Sequence, residues 1–224
     1  FLAFYSIIIV LNMKETLAAK EKLNRSMFSI GRKDIVDKNV FPAGIITFLS
    51  YTAFGLILTL IPDWSEHVGA TNKGIFFTVF TVASVMVRFA AGKVSDRHGR
   101  PKVILAGLII TASALFVISE GRDIQMLLVG AAVYGVGTGI LSPAISAWTI
   151  DLSNPDHRGK AVATMYISME LGIGCGALLG GSYYSDQIMR IPQIMKFDII
   201  ILVLGIAYLL YWAKKSRKNR RSLS

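Results

Sequence analysis

Six long apolar stretches divide this chain, at 43–61, 74–92, 103–119, 126–150, 161–184 and 197–213, and no other feature constrains its fold as tightly. A bilayer core about 30 Å thick is crossed by a helix of roughly 17–25 apolar residues, and each stretch falls in that window. Charges inside them are few: Arg88 in the second, Glu170 in the fifth and Asp198 at the mouth of the sixth. With 53% hydrophobic and only 17% charged residues, 224 residues hold more apolar side chains than one water-soluble core can hide. The pattern predicts an all-α, polytopic membrane protein, a six-transmembrane-helix bundle with the lipid bilayer as its first partner. A disordered tail, a secreted disulfide scaffold and most soluble enzymes are excluded. The lone Cys175 cannot close an intrachain disulfide.

A seventh apolar run, Phe1 to Leu11, is too short to span at about 1.5 Å per residue. It lacks the basic leader and small-residue cleavage site of a signal peptide. Residues 1–12 therefore read as the end of a preceding transmembrane helix, and the chain as part of a longer protein. Residues 13–42 form a polar linker, with either an interfacial helix around Leu23, Met27 and Ile30 or plain solvated chain. The bundle occupies 43–213, and a basic tail follows at 214–224.

The net charge of +10 is a matter of topology. Nineteen of the 24 Lys and Arg residues fall before the first span, in alternate loops or in the tail. The opposite loops hold only Lys73, Arg122, Arg190 and Lys196. Basic loops stay inside, which predicts a cytoplasmic linker and C-terminus in the cytoplasmic or plasma membrane, and no nucleic-acid partner. Trp64 and Tyr183–Tyr184 fall at outer span ends, and Trp148 and Tyr211–Trp212 at inner ends, where amphipathic rings favour the interface.

Between the second and third spans runs Gly92-Lys-Val-Ser-Asp96-Arg97-His-Gly99-Arg100-Pro-Lys102. It reads as a very short turn in which Gly92 and Gly99 allow close approach and unusual backbone angles. Asp96 can accept from a helix N-terminus, and Arg97 and Arg100 can bridge carboxylates or carbonyls of neighbouring helices. A purely topological basic turn is the alternative. The pattern resembles G-x-x-x-D-R-x-G-R-x-[KR], the loop signature of the major facilitator superfamily of secondary transporters, with Gly92, Asp96, Arg97, Gly99, Arg100 and Lys102 all matching. Arg88 fits the R-x-x-x-G extension common in the drug- and sugar-efflux-like branches.

The resemblance implies one half of a twelve-helix major-facilitator fold, completed by an N-terminal six-helix half of the same protein. It also makes the matched residues a cytoplasmic gate rather than substrate ligands. Arg88, four residues inside the second span, either snorkels to the interface or contacts the gate. The stretch Asp151-Leu-Ser-Asn-Pro-Asp-His-Arg158-Gly159 resembles the family's matching loop, so Asp151 and Arg158 become candidate gate partners; ordinary capping explains Asp151 as well.

Glu170 lies near the middle of its span, where a carboxylate costs several kcal/mol unless paired, protonated or facing water. It is the candidate for proton coupling or substrate contact; a carboxyl bonded across helices for packing is the alternative. Beyond it, Gly172, Gly176, Gly180 and Gly181 supply small faces for close helix packing. They resemble the family's antiporter signature, but Ala177 stands where that motif has Pro. Glycines 135, 137 and 139 beside Pro143 predict a fourth span suited to packing or bending.

His67, His98 and His157 are scattered over loops, and neither a metal motif nor a phosphate-binding loop is present, so no cofactor is expected. The sequence therefore predicts no enzyme, but a secondary transporter of a small organic solute by alternating access, with proton-coupled efflux as the leading form. A passive uniporter or a non-transporting sensor or assembly protein on the same scaffold is the alternative.

Overall fold

The computed structural model describes residues 36–221, with side chains described to Ser216. The expected helix end at 1–12 and the interfacial helix around Leu23, Met27 and Ile30 lie outside the described residues. Six membrane-length helices make up the rest: α1 (Phe41–His67), α2 (Ile75–His98), α3 (Arg100–Glu120), α4 (Ile124–Leu152), α5 (Arg158–Tyr184) and α6 (Ile191–Arg221). Each covers the apolar run read from the sequence, α2 starting one residue inside it at Ile75, and α1, α2 and α6 extend at least six residues past it at one end. The backbone ladder continues wherever the next residue tolerates helix, so a polar residue ends the membrane crossing without ending the helix.

Local chemistry sets the ends. Asp37 caps the short 3₁₀ turn Lys38–Val40 by accepting from Asn39 N–H, and its own N–H donates to Thr164 Oγ1 at 2.9 Å, tying the start of α1 to α5. Asp123 caps α4 by accepting from Met126 N–H at 2.8 Å. Between α2 and α3 only Gly99 is non-helical; its φ of +87° is a left-handed value that a side chain disfavours, and Pro101 follows in the first turn of α3. Gly92, by contrast, lies inside α2, and a Cβ there would meet nothing within 4 Å, so it mediates no close approach within this chain.

The helices alternate in direction. One end of the bundle gathers Lys93, Arg97, Arg100, Lys102, Arg158, Lys160, Lys214 and Lys215, and is called the basic end below. Within the bundle, α1 packs chiefly on α5 and α6, while α4 packs on α2 and α3. The α1–α5 seam is drawn tight by small residues: a Cβ on Gly176 would sit 2.1 Å from the Thr52 carbonyl oxygen. Gly172 and Gly180 share that seam, whereas Gly181 lies outside it, its nearest neighbour being Thr59 Cγ2 at 3.9 Å.

Three expectations change. Trp64 and Trp148 are buried rather than spread at an interface, with Trp148 packed edge-on against Trp212 at 4.9 Å; side chains near helix ends turn inward where a neighbouring helix offers apolar surface. Asp198 is not at a span's mouth. Helix α6 begins seven residues earlier, at Ile191, and Asp198 is fully buried. Arg88 is not near a helix end either, because α2 runs on ten residues to His98, about 15 Å at helical rise.

Candidate functional site

Arg100 organises the basic end. Its Nη1 lies 2.5 Å from Asp96 Oδ1 in the last turn of α2, and its Nε donates to Asp151 Oδ2 at 2.9 Å near the end of α4. Nη1 also donates to Ser95 Oγ at 3.2 Å. One guanidinium thus joins three helices. Each member is poorly placed for its own helix: Arg100 stands at the positive N-terminus of α3, and both aspartates lie at negative C-termini. They are matched only by one another. Asp151 is therefore drawn into the cluster, whereas Arg97, Lys102 and Arg158 form no ion pair among the described residues. A groove of about 930 Å³ opens beside the cluster, lined by Arg100, Lys102, Trp148, Asp151, Trp212 and Lys214.

A second polar group lies near mid-depth on the outward faces of α2 and α5, the two least buried helices. Tyr51 of α1 has Ser142 of α4, Arg88 of α2 and Tyr166 of α5 within electrostatic range. Arg88 forms no ion pair with Asp96 or Asp151. Glu170 sits one turn beyond Tyr166 on α5 and is exposed, on the side away from the α1 seam. Its carboxyl is not buried within this chain. Tyr51 and Tyr166 were not singled out in the sequence, because an aromatic in an apolar span carries no mark of facing a polar neighbour on another helix.

The third group is fully buried. Asp198 of α6 and Tyr134 of α4 are both 0% exposed, and Asp198 Oδ1, Asp198 Oδ2 and Tyr134 Oη all lack a hydrogen-bond partner. No hydrogen bond joins the two side chains. Thr52 of α1 stands beside the carboxyl, but its hydroxyl donates to the Leu49 carbonyl at 2.8 Å. Among the described residues no group of His, Cys, Asp and Glu is arranged to hold a metal ion.

Comparison with known proteins agrees with this architecture. The family model described as Major Facilitator Superfamily matches residues 43–223. The chain is 24% identical over 175 residues to multidrug resistance protein 1 of Bacillus subtilis (strain 168), covering 75% of this chain and 45% of that protein. It is 22% identical over 159 residues to the quinolone resistance protein NorA of Staphylococcus aureus, covering 70% of this chain and 41% of that protein. The solved structure of the human organic anion transporter MFSD10 (TETRAN) superposes with a TM-score of 0.62 at 20% identity, over 81% of this chain and 47% of that one, which shows a shared fold. The chain spans somewhat less than half the length of the curated relatives it matches.

Proposed function

Since this chain belongs to the major facilitator superfamily, we propose that it forms one six-helix half of a secondary transporter in the cell membrane. In this reading its basic end faces the cytoplasm, and a second six-helix half covers the outward faces of α2 and α5. The protein moves a small organic solute by alternating access, and proton exchange drives efflux. The relatives named for multidrug and quinolone resistance support efflux of drug-like organic compounds.

The observation that carries the reading is the Asp96–Arg100–Asp151 cluster. It fastens three helix ends at one side of the bundle through a single guanidinium, and each charge is unfavourable for its own helix once separated. That is the behaviour of a gate with a fastened and a released state: Arg100 is its hub, Asp96 and Asp151 its acceptors, and Gly99 its one-residue hinge. Gly92, Arg97, Lys102 and Arg158 sit around the cluster and set its field. Glu170, exposed on α5 near mid-depth, is the residue that exchanges a proton or touches the solute once the second half encloses it.

The test is efflux of a quinolone-type fluorophore from proteoliposomes holding the intact transporter. A proton gradient drives efflux in the unsubstituted protein. Glu170→Gln abolishes gradient-driven efflux but leaves gradient-free exchange. Unchanged gradient response in Glu170→Gln removes the coupling role from that residue. Exchange that ignores the gradient in every form means a passive uniporter, and no exchange at all means a non-transporting protein. The described six-helix unit alone is expected to be inactive, and vesicle uptake by it would refute the two-half arrangement.

A further inference from the structure

We propose that the groove at the basic end of the α3–α6 seam is a binding site for one anionic phospholipid. The phosphate is held at the mouth by Lys102 and Lys214, and an acyl chain lies on the apolar floor behind them. Three observations support it. The groove is lined by both helices and by Trp148 of α4, and its volume is about 930 Å³. Its lysines stand at the mouth, and its deeper lining is leucine and indole. Lys102 and Lys214 are exposed and form no ion pair among the described residues.

Helix register sets the order of these groups with depth. Helix α3 runs away from the basic end, so Leu105 lies three residues, about 4.5 Å, deeper than Lys102. Helix α6 runs toward it, so Leu209 and Leu210 lie four to five residues, about 6–7.5 Å, deeper than Lys214. Lys102 stands immediately before the apolar run 103–119, and Lys214 immediately after the run 197–213. Both lysines are therefore at the level where apolar helix gives way to polar, the level of a phospholipid headgroup. Just below them Trp148 meets Trp212 edge-on at 4.9 Å, and the two indoles line the floor.

Charge and shape together select the occupant. Arg100, Lys102 and Lys214 share the lining with one carboxylate, Asp151, which already accepts from Arg100 Nε at 2.9 Å. The two lysines are left for an anion. A free inorganic anion would use the mouth alone and leave the leucine floor wet, in a space many times the ~30 Å³ share of one water molecule. A zwitterionic lipid would bring its own cation to two lysines. A basic pocket between membrane helices suits a phospholipid of net negative charge. The chain's own linker is a poor match, because residues 13–35 carry six Lys and Arg against three Asp and Glu. The sequence of α6 continues past the groove with Arg217, Lys218, Arg220 and Arg221, which add positive charge at the same end. The site belongs to whichever leaflet meets the basic end, and it depends on neither the gate nor the coupled-efflux reading.

Quenching of tryptophan fluorescence tests it, in the intact transporter reconstituted in phosphatidylcholine with rising fractions of phosphatidylglycerol brominated on its acyl chains. Quenching is expected to saturate at a low fraction of that lipid, whereas brominated phosphatidylcholine quenches only in proportion to its share. The saturable part should shrink in Trp212→Phe. Lys102→Gln and Lys214→Gln, both at exposed positions, should each raise the half-quenching fraction about fivefold, and together about 25-fold. Arg97→Gln and Arg158→Gln, which lie at the basic end but outside the groove, should leave it unchanged. Equal quenching by the two lipids, or an equal loss in the Arg97→Gln and Arg158→Gln controls, makes the attraction a general property of the basic surface and overturns the site. Displacement of the lipid by millimolar inorganic phosphate makes it a soluble-anion site and overturns the lipid assignment. A photo-crosslinker placed at Leu210 that captures residues 13–35 or a second copy in place of lipid overturns it too. The readout is lipid binding, so failed efflux leaves the site standing and failed quenching leaves the gate standing.

Discussion

The Asp96–Arg100–Asp151 cluster and the buried Asp198 place aspartates in opposite circumstances. In the cluster both aspartates have the Arg100 guanidinium within 3 Å, and their side chains are 65% and 51% exposed. In the core, Asp198 is fully buried, forms no ion pair among the described residues, and has no hydrogen-bond partner for either carboxyl oxygen. Exposed ion pairs exchange one favourable partner, water, for another, so each is worth about 0–1 kcal/mol and can open and close readily. A buried polar group has no such exchange available, and its state changes by gaining or losing a proton. The first arrangement suits a latch and the second suits a switch.

The sharpest way to break this contrast is Asp198→Leu. An unsatisfied buried polar group costs about 1–3 kcal/mol, so an apolar replacement of similar size should raise the thermal unfolding midpoint of the intact protein. A lowered midpoint would mean that Asp198 has a stabilising partner, and the contrast with the basic end would collapse.

A smaller effect is expected at the latch. Arg100→Ala leaves Asp96 and Asp151 at helix C-termini with no cation between them, unfavourable by about 1 kcal/mol or less at such exposure. The unfolding midpoint should move little. The conformational balance should move visibly, with a cysteine introduced at Ser95 in a Cys175→Ser background labelled faster by a water-soluble maleimide. Unchanged labelling would reduce the cluster to a topological feature.

The two sites also differ in how far the sequence announced them. Hydropathy was enough to locate all six helices, because each apolar run must be buried in lipid whatever its neighbours do. The loop motif was legible as a pattern, and Asp96, Arg100 and Asp151 do converge beside Gly99. That Arg100 and not Arg97 is the hub depends on a contact between positions 51 residues apart, which spacing does not encode. Asp198 was visible only as a charge at the edge of an apolar run. Its burial follows from α6 starting at Ile191, through Pro192, Gln193 and Lys196, where polarity hides the helix from a hydropathy reading. Tyr134 gave no signal at all, since a phenol in an apolar span is ordinary until its hydroxyl is found without a partner.

Ionic strength separates latch from switch with the smallest and cleanest effect. At 1 M salt the screening length is about 3 Å, comparable to the Arg100 contacts themselves, so their coupling should be largely erased. A double-mutant cycle on Arg100→Ala and Asp151→Asn should give about 0.5 kcal/mol at low salt and nearly zero at high salt. The stability gain of Asp198→Leu should stay the same across that range, because the carboxyl is fully buried and no ion pair among the described residues involves it. Salt that erased the Arg100–Asp151 coupling and also removed the Asp198→Leu gain would show that water and ions enter the core. The buried aspartate would then be a second wet site, and the difference in solvation that separates latch from switch would disappear.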